Sequence, residues 1–376
     1  MTAMSIVTKQ TSALTADGLI GDEDSLRDCI DTWPAGAGVA LDTEFVRERT
    51  YYPRLCLIQL ATGDRLALID PITIKDPGPL VTLLGDARRP KVLHAARQDL
   101  EALLPLTGAP LGPVFDTQLA AALLGFPAQI GYAELVRQLL GVELAKGHAR
   151  TDWARRPLSA EQLAYAADDV RYLPALAAQL DEQLFAAGRR GWMDEDSTGF
   201  ADLALYRIEP AEAWRRLKGV ERLPPAAQGA VRALANWREQ RAMDRDLPRG
   251  WVLPDAALFD IAEARPRNRE ELSRIATVPR ATAQRAADEI LGVLGGKSVV
   301  PGDLLAEDHS RTGPGELRQV KALQQRLQSI ARDLGIQPEV LATRRDLAAL
   351  VRGERKLPIL SGWRRNIVGE PLLAAL

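Results

Sequence analysis

Five residues in three short motifs have the types and spacing needed to bind cations and activate water. Asp42 and Glu44 lie two residues apart in an apolar, strand-like run. Because strand side chains alternate, both carboxylates project from one face. Asp99 follows a second apolar run, and Tyr165 and Asp169 are four residues apart in a helical pattern, so that pair also shares a face. The sequence therefore offers four carboxylates and one phenol that the fold could bring together.

Carboxylates grouped in this way repel one another unless cations neutralise them, and hard oxygen ligands of this kind suit Mg²⁺ or Mn²⁺. Two such ions roughly 3.5–4 Å apart can activate a water molecule and stabilise the leaving oxygen of a phosphodiester. A buried strand has little reason to carry two acidic side chains on one face unless a cation compensates for their desolvation. The pattern thus predicts a nuclease site that binds two divalent metal ions.

Short apolar runs predict the strands that would position these residues, at 38–45, 54–62, 65–70 and 91–95. Helical patterns follow at 116–125, 131–141 and 159–187. The last of these begins with Ser159 and Gln162 in the spacing of a capping box. Strands followed by interleaved helices indicate an α/β domain with helices packed on a mixed sheet. Beyond about residue 200, helical patterns alternate with proline-rich breaks, which predicts small all-α domains.

Length and charge are consistent with this division. The 376 residues suggest two or three domains. Residues 1–200 contain 19 basic and 27 acidic residues, a net charge of −8, whereas residues 201–376 contain 29 and 23, a net charge of +6. A basic region beside an acidic, cation-binding one suits a polyanionic substrate. Two cysteines exclude a disulfide framework, and no apolar run is long enough to span a membrane, so we expect a soluble cytoplasmic protein.

The three motifs, with the flanking runs at 41–60, 115–125 and 150–158, closely resemble the exonuclease domain of the ribonuclease D family. The resemblance implies a ribonuclease H-like α/β fold. The stretches at 230–241 and 253–258 resemble the HRDC domain, a helical domain that this family shares with RecQ-type helicases. The segment 316–376 resembles a second, more divergent copy. The implied organisation is an exonuclease domain at 1–203, HRDC-like domains at 207–294 and 316–376, and a linker at 295–315.

The same resemblance implies a role for each residue of the site. The metal-binding carboxylates would be Asp42, Glu44, Asp99 and Asp169. Tyr165 would orient the attacking water or help to deprotonate it. One branch of the family has a histidine five positions before the final aspartate, and Ala164 stands there in this chain, so Tyr165 indicates the tyrosine branch. Asp168 is an alternative final ligand, but the family spacing favours Asp169.

Substrate contacts are expected from the segment 146–156, which is basic and contains one aromatic residue. Lys146 and Arg150 suit phosphate groups. Trp153 could stack on a base or pack inward, and the sequence leaves both open. Thr43, between the carboxylates of the first motif, is also assigned to substrate binding.

The C-terminal half holds four further tryptophans: Trp214, Trp237, Trp251 and Trp363. Their helical context predicts that they lie in the cores of small domains rather than stack on bases. The basic tracts at 241–249 and 344–356 are better candidates for phosphate contacts.

The function implied is that of a metal-dependent 3′→5′ exoribonuclease that releases 5′-mononucleotides. By resemblance, its substrates would be transfer RNA precursors and other small structured RNAs with single-stranded 3′ ends, and a monomer is expected. Carboxylate chemistry does not distinguish RNA from DNA, so a 3′→5′ DNA exonuclease is one alternative. An inactive RNA-binding adaptor is another, which the complete set of five residues argues against.

Overall fold

A computed structural model describes residues 18–63, 65–145, 151–296 and 313–376. These residues form two compact units. The first, here called the sheet unit, comprises residues 18–46, 55–206 and 314–376. The second, the helical unit, comprises residues 47–54 and 207–296. Among the residues described, no helix is both long and apolar enough to cross a membrane.

Six strands form one sheet: β1 Leu19–Ile20, β2 Val39–Val46, β3 Arg54–Thr62, β4 Arg65–Ile69, β5 Lys91–Leu93 and β6 Val114–Asp116. Their order across the sheet is β1-β4-β3-β2-β5-β6. β3 and β4 are antiparallel, whereas β2, β5 and β6 run parallel, as do β1 and β4. The predicted mixed sheet is thereby confirmed, and the strand with two of the carboxylates, β2, occupies an inner position.

Nineteen α-helical segments are present in the described residues. Eight lie between the strands or after them: α1 Glu23–Asp31, α2 Gly78–Gly85, α3 Arg97–Thr107, α4 Thr117–Leu123, α5 Tyr132–Leu140, α6 Ala160–Arg171, α7 Leu173–Ala186 and α8 Arg190–Ser197. Six belong to the helical unit: α9 Pro225–Asp244, α10 Arg249–Val252, α11 Asp255–Ala264, α12 Arg269–Arg274, α13 Arg280–Arg285 and α14 Ala287–Gly295. Five follow: α15 Pro314–Leu334, α16 Pro338–Leu341, α17 Arg344–Val351, α18 Gly362–Arg364 and α19 Glu370–Leu373.

Alternate residues of β2 point into two different cores. Val39 and Leu41 pack in a core with side chains of α1, α2 and α3, whereas Ala40 packs in a second core with side chains of α4 and α7. Because side chains alternate along a strand, Asp42 and Glu44 project to the side of Ala40. Helix α6 packs against β2 and β4. The fold thus places the residues of α6 beside the two carboxylates of β2.

The C-terminal helices α15–α19 are part of the sheet unit. Leu323 and Leu327 of α15 are buried in the same core as Leu180 and Leu184 of α7. The backbones approach closely at Gly125, whose φ is +96° and where a Cβ atom would collide with the carbonyl oxygen of Gly335. Residues 314–376 therefore share one core with the sheet.

An indole stack fixes this segment to α8. The rings of Trp192 and Trp363 are parallel, with centroids 4.1 Å apart. The indole Nε1 of Trp363 donates to Asp196 Oδ1 at 3.1 Å, and its backbone N–H donates to Glu195 Oε2 at 2.9 Å. Arg364 forms an ion pair with Asp196. Trp363 was predicted to lie in the core of a small domain, and it is buried in the shared core instead.

We expect Trp363→Ala to lower the free energy of unfolding by about 3–5 kcal/mol, because the change removes a buried indole and leaves a cavity. Urea unfolding followed by circular dichroism measures this. Trp251→Ala is a matched control at an exposed tryptophan and should change stability by less than about 0.5 kcal/mol. Equal, small effects of the two substitutions would contradict a shared core.

The helical unit has its own core, formed by α9, α11 and α14 with the 3₁₀ segment Pro210–Arg216. Trp214 is buried in it, and Trp237 packs at its margin while donating from its indole to Glu289 at 2.9 Å. Trp251 contradicts the prediction that it lies in a core, because its side chain is 60% exposed. The single turn of α10 buries Val252 and leaves the neighbouring Trp251 ring exposed.

Candidate active site

Three carboxylates from two elements meet at one point of the sheet unit. Asp42 and Glu44 come from β2 and Asp169 from α6, and one oxygen of each lies within 4.8 Å of the others. The pairing of α6 with β2 brings these groups together across more than a hundred residues of sequence. The arrangement is the one that the three motifs predicted for these residues.

Helix α6 is built to present one polar edge. The Ser159 side chain and Gln162 form the predicted capping box at its N-terminus. Leu163, Ala166, Ala167 and Val170 are buried. Tyr165 and Asp169, four residues apart, lie beside the carboxylates of β2, and the Tyr165 hydroxyl donates a hydrogen bond to Asp169. The apolar edge anchors the helix and the other edge supplies functional groups.

Asp99 lies in the first turn of α3 and is buried. Its Oδ1 accepts hydrogen bonds from the Thr43 hydroxyl at 2.7 Å and from the Thr43 backbone N–H at 3.2 Å. Burial raises the pKa of Asp99 to about 6, although these hydrogen bonds oppose the rise. Thr43 therefore holds Asp99 in place, and its hydroxyl proton is engaged inside the protein. A contact of Thr43 with substrate stays a prediction.

The carboxylates strongly destabilise one another's charge. Burial raises the pKa of Asp42 well above its ordinary value, and repulsion from Asp99, Asp169 and Glu44 adds to this. Burial, with repulsion from Asp169 and Asp99, raises the pKa of Glu44 to about 8. Burial and the charges of Asp168 and Asp99 raise the pKa of Asp169 to about 7. The site retains protons at neutral pH unless cations replace them.

The donor set fits divalent metal ions that prefer oxygen ligands. Asp42, Glu44 and Asp169 offer carboxylate oxygens, and Asp99 is close enough to raise the pKa of Asp42. His94 supplies no free nitrogen, because Nδ1 bonds the Thr117 hydroxyl and Nε2 bonds the Ile130 carbonyl, both at 2.9 Å. Oxygen ligands without histidine or cysteine suit Mg²⁺ or Mn²⁺ rather than zinc.

The alternative final ligand, Asp168, is held away from this cluster. Its side chain is about one-third exposed and forms an ion pair with Arg171 at 3.0 Å. Asp169, one residue later, is the carboxylate that meets Asp42 and Glu44. The four-residue spacing from Tyr165 therefore predicted the correct carboxylate, Asp169.

The predicted substrate-binding residues have different outcomes. Trp153 is only 3% exposed and packs in the core, with its ring centroid 6.2 Å from that of Tyr165. The sequence left open whether Trp153 stacks on a base or packs inward, and the structure shows that it packs inward. Its ring lies next to that of Tyr165 and is not available to a base. Lys146 and Arg150 lie outside the described residues.

Sequence reasoning missed Arg156 and Asp70, which anchor the segment that carries Trp153. Arg156 forms a two-point ion pair with Asp70, with N···O distances of 2.6 and 2.7 Å. It also donates to the carbonyl oxygens of Cys56 and Trp153. An aspartate at the end of a predicted strand was the available signal, but its partner is 86 residues away.

Tyr132 was also missed. Its hydroxyl donates to the Asp168 carbonyl at 2.9 Å and accepts from the Tyr172 backbone N–H at 3.3 Å, which fixes the end of α6. Burial raises the pKa of Tyr132, and the charges of Asp169 and Asp42 add to the rise. A tyrosine at the start of a predicted helix gives no hint of such a contact.

The raised pKa values predict a specific pH dependence. The folded protein keeps the protons of Glu44 and Asp169 up to about pH 7–8, whereas the unfolded chain releases them near pH 4. The folded state thus binds more protons in this window, so the stability of the metal-free protein should fall as pH rises from about 4 to 8. Adding Mg²⁺ should raise the melting temperature more at pH 8 than at pH 6, because fewer protons compete.

Differential scanning fluorimetry with and without chelator measures both effects. Asp169→Asn should flatten the dependence on pH, whereas Asp24→Asn, at an exposed position, should leave it unchanged. A metal-free protein whose stability rises between pH 5 and 8 would contradict the repulsion described for the cluster.

Comparison with known proteins gives a consistent result for both units. The profile of a 3′-5′ exonuclease family matches residues 19–185, and that of the HRDC domain matches residues 227–294. The first match contains all five residues of the predicted site. The second lies within the first of the two predicted HRDC-like domains. The likeness of residues 316–376 to a second HRDC domain stays a prediction.

The relatives are similar over almost the full chain. Ribonuclease D of Pseudomonas paraeruginosa is 37% identical over 367 residues, which cover 95% of this chain and 96% of the relative. Ribonuclease D of Sphingobium indicum is 39% identical over 341 residues, which cover 88% and 87% of the two chains. The crystal structure of Escherichia coli RNase D, described as an exoribonuclease involved in structured RNA processing, superposes with a TM-score of 0.85 at 33% identity and covers 95% of this chain and 98% of that one. The chain therefore belongs to the ribonuclease D family of exoribonucleases.

Proposed function

We propose that this exoribonuclease removes nucleotides one at a time from RNA 3′ ends by hydrolysis assisted by two divalent cations, Mg²⁺ or Mn²⁺. The observation that carries the proposal is the meeting of Asp42, Glu44 and Asp169 within 4.8 Å, with Asp99 and the Tyr165 hydroxyl beside them. The oxygen of the attacking water joins the phosphorus and the bond from phosphorus to the 3′-oxygen breaks. The products are a 5′-mononucleotide and an RNA with a new 3′-hydroxyl.

The carboxylates would hold the cations, and Thr43 keeps Asp99 oriented toward this task. When bound, the cations would supply positive charge to the phosphodiester and the departing 3′-oxygen and lower the pKa of a nearby water. The protein's contribution is a rigid set of ligands from β2, α3 and α6. Rigidity matters because charge stabilisation is most effective when the groups need not rearrange.

Tyr165 is suited to position the water rather than to act as a base. Burial, together with the charges of Asp169, Glu44 and Asp42, raises the pKa of its phenol above the ordinary value. The phenol is therefore protonated at neutral pH. While it donates to Asp169, its oxygen can still accept a hydrogen bond from the attacking water.

Transfer RNA precursors and other small structured RNAs with single-stranded 3′ ends are the substrates that we propose. Support comes from the description of the Escherichia coli relative as acting in structured RNA processing. The match of an HRDC profile to the helical unit supports RNA binding outside the active site. We assign phosphate contacts to Lys146 and Arg150, a second HRDC-like domain to residues 316–376, and a monomeric state to the chain.

Digestion of a 3′-extended transfer RNA precursor beside DNA of the same sequence tests the proposed function. Wild-type protein should shorten the RNA from its 3′ end with Mg²⁺ or Mn²⁺ and release 5′-mononucleotides, and chelator or Asp42→Ala should stop the reaction. Preference for the DNA strand would indicate a repair exonuclease. RNA binding without turnover in any metal would indicate an adaptor.

A further inference from the structure

Two aromatic rings are exposed on the helical unit. The side chain of Tyr52 is 41% exposed and that of Trp251 is 60% exposed. Phe185, in the sheet unit, is the other large aromatic side chain exposed to this degree among the described residues. An exposed aromatic ring adds nothing to a core, and such rings often mark a surface that binds another molecule.

Both rings are attached to one rigid group of side chains. Tyr51 donates its hydroxyl to the buried carboxylate of Glu239, which also pairs with Arg249 at 2.6 Å. The Arg249 guanidinium lies 5.0 Å from the centre of the Tyr51 ring. Tyr51 is further buried against Ala242 and Val252. The residues beside the exposed rings are therefore fixed before any ligand arrives.

Tyr52 contacts this group directly, and Trp251 is joined to it through the backbone of α10. The Tyr52 ring meets the Tyr51 ring edge-on, with centroids 4.9 Å apart. Asp246 Oδ1 accepts from the backbone N–H groups of Tyr51 and Tyr52 at 2.9 and 3.0 Å, which fixes that backbone. Trp251 lies in α10, next to Val252 and two residues after Arg249. The contacts of Tyr52 restrict its ring before binding, which lowers the entropic cost of stacking on it.

Charges of both signs surround the Tyr52 ring. Arg207 is exposed and close enough to Tyr52 to affect its ionisation, and Arg249 lies over Tyr51. The acidic groups nearest to Tyr52 are Asp246, Asp244 and Glu239. Glu239 is buried and neutralised by Arg249, whereas Arg207 is exposed, as are Asp244 and Asp246. Aromatic rings beside arginine are the usual means of holding single-stranded nucleic acid without reading its sequence.

We propose that Tyr52 and Trp251 form a stacking surface for the bases of single-stranded RNA, with Arg207 and Arg249 facing its phosphates. The proposal rests on the proposed function, since it names where the helical unit contacts the substrate strand. Tyr52 follows Glu44 by eight residues, so covalent connection alone keeps their Cα atoms within about 29 Å.

Binding of an unstructured, fluorescently labelled RNA oligonucleotide, followed by anisotropy in the presence of chelator, tests the proposal. Tyr52→Ala and Trp251→Ala should each weaken binding by about 5-fold or more, the loss expected for one stacked base. Tyr52→Phe and Trp251→Phe keep a ring and should bind nearly as well as wild type. Phe185→Ala is the control, an even more exposed ring on the other unit, and should bind like wild type.

Hydrolysis of the shortest oligoribonucleotide that wild type cleaves separates this proposal from the proposed function. The alanine variants should hydrolyse it at the wild-type rate, because it is too short to reach the stacking surface. Normal RNA affinity of both alanine variants would overturn the proposal while the nuclease assignment stands. An equal loss of RNA affinity in Phe185→Ala would overturn it too. So would a Trp251→Ala variant that sediments differently from wild type but binds RNA normally, because Trp251 would then contact a second copy of the chain.

Discussion

Replacing Asp42 by asparagine is expected to reduce RNA hydrolysis by at least about 1,000-fold and, without metal, to make the protein more stable. The loss of activity follows because a carboxylate that holds the cations contributes several kcal/mol to catalysis. The gain in stability follows because burial and three neighbouring carboxylates disfavour the charge of Asp42. Asparagine has nearly the same shape and carries no charge, so it relieves that repulsion.

The measurement compares initial rates of RNA shortening and melting temperatures in chelator at pH 8. Asp70→Asn is the control, because Asp70 is a buried aspartate that has a cationic partner, Arg156. Removing one partner of a buried ion pair should lower stability by about 3–5 kcal/mol. If Asp42→Asn destabilised the metal-free protein as Asp70→Asn does, the repulsive cluster would be wrong. Unchanged hydrolysis would remove Asp42 from the site.

Replacing Tyr165 by phenylalanine is expected to lower the rate of hydrolysis by about 100-fold or more while leaving metal affinity nearly unchanged. The phenol contacts Asp169 through its hydroxyl but is not one of the carboxylates that would hold the cations. Removing the hydroxyl therefore affects the position of the water and not the ligand set. Single-turnover rates give the first quantity, and the increase of melting temperature with Mg²⁺ concentration gives the second.

Tyr172→Phe provides the control for a tyrosine at the end of the same helix, because the interaction that fixes this end uses the backbone of Tyr172 and not its hydroxyl. It should retain the wild-type rate. Parallel losses of rate and of metal affinity in Tyr165→Phe would show that the tyrosine supports the ligands instead of the water.

Local patterns predicted the elements that present the site. The strands expected at 38–45, 54–62, 65–70 and 91–95 are observed as β2, β3, β4 and β5, with ends that differ by no more than two residues. The helix expected at 159–187 is present as α6 and α7, which are separated at Tyr172. The strands β1 and β6 were not predicted: β1 has only two residues, and β6 runs directly into the helical pattern predicted from residue 116.

Within the site, alternation along β2 and spacing along α6 predicted which side chains share a face, and the resemblance to the family implied that Asp42 and Glu44 meet Asp169. Both rules act over a few residues, and the pairing of the two elements then completes the cluster. The catalytic roles of these residues stay a prediction, which the two substitutions above test. The contacts of Tyr132, Arg156 and Thr43 with distant groups could not be predicted, because nothing in a local pattern reports a partner far away in sequence.

The same reason explains why the sequence did not show which core the C-terminal segment joins. Its apolar spacing correctly predicted α15, but spacing along a helix does not indicate which core receives the buried face. The structure joins that face to the sheet unit through Leu323, Leu327 and Trp363. Likewise, residues 47–54 follow the strand β2 directly yet pack with the helical unit through Tyr51.

The shared core of α7 and α15 also bears on how the molecule is made. A ribosome synthesises α15–α19 only after the whole helical unit, so a growing chain that stops before α15 exposes the apolar surfaces of Leu180, Leu184 and Trp192. Contacts that close so long a loop form late, because the entropy of closure opposes them until the partner segment is present. We therefore expect the sheet unit to complete its core only after α15–α19 have been translated, which delays the appearance of an RNA-degrading enzyme until these helices have been made.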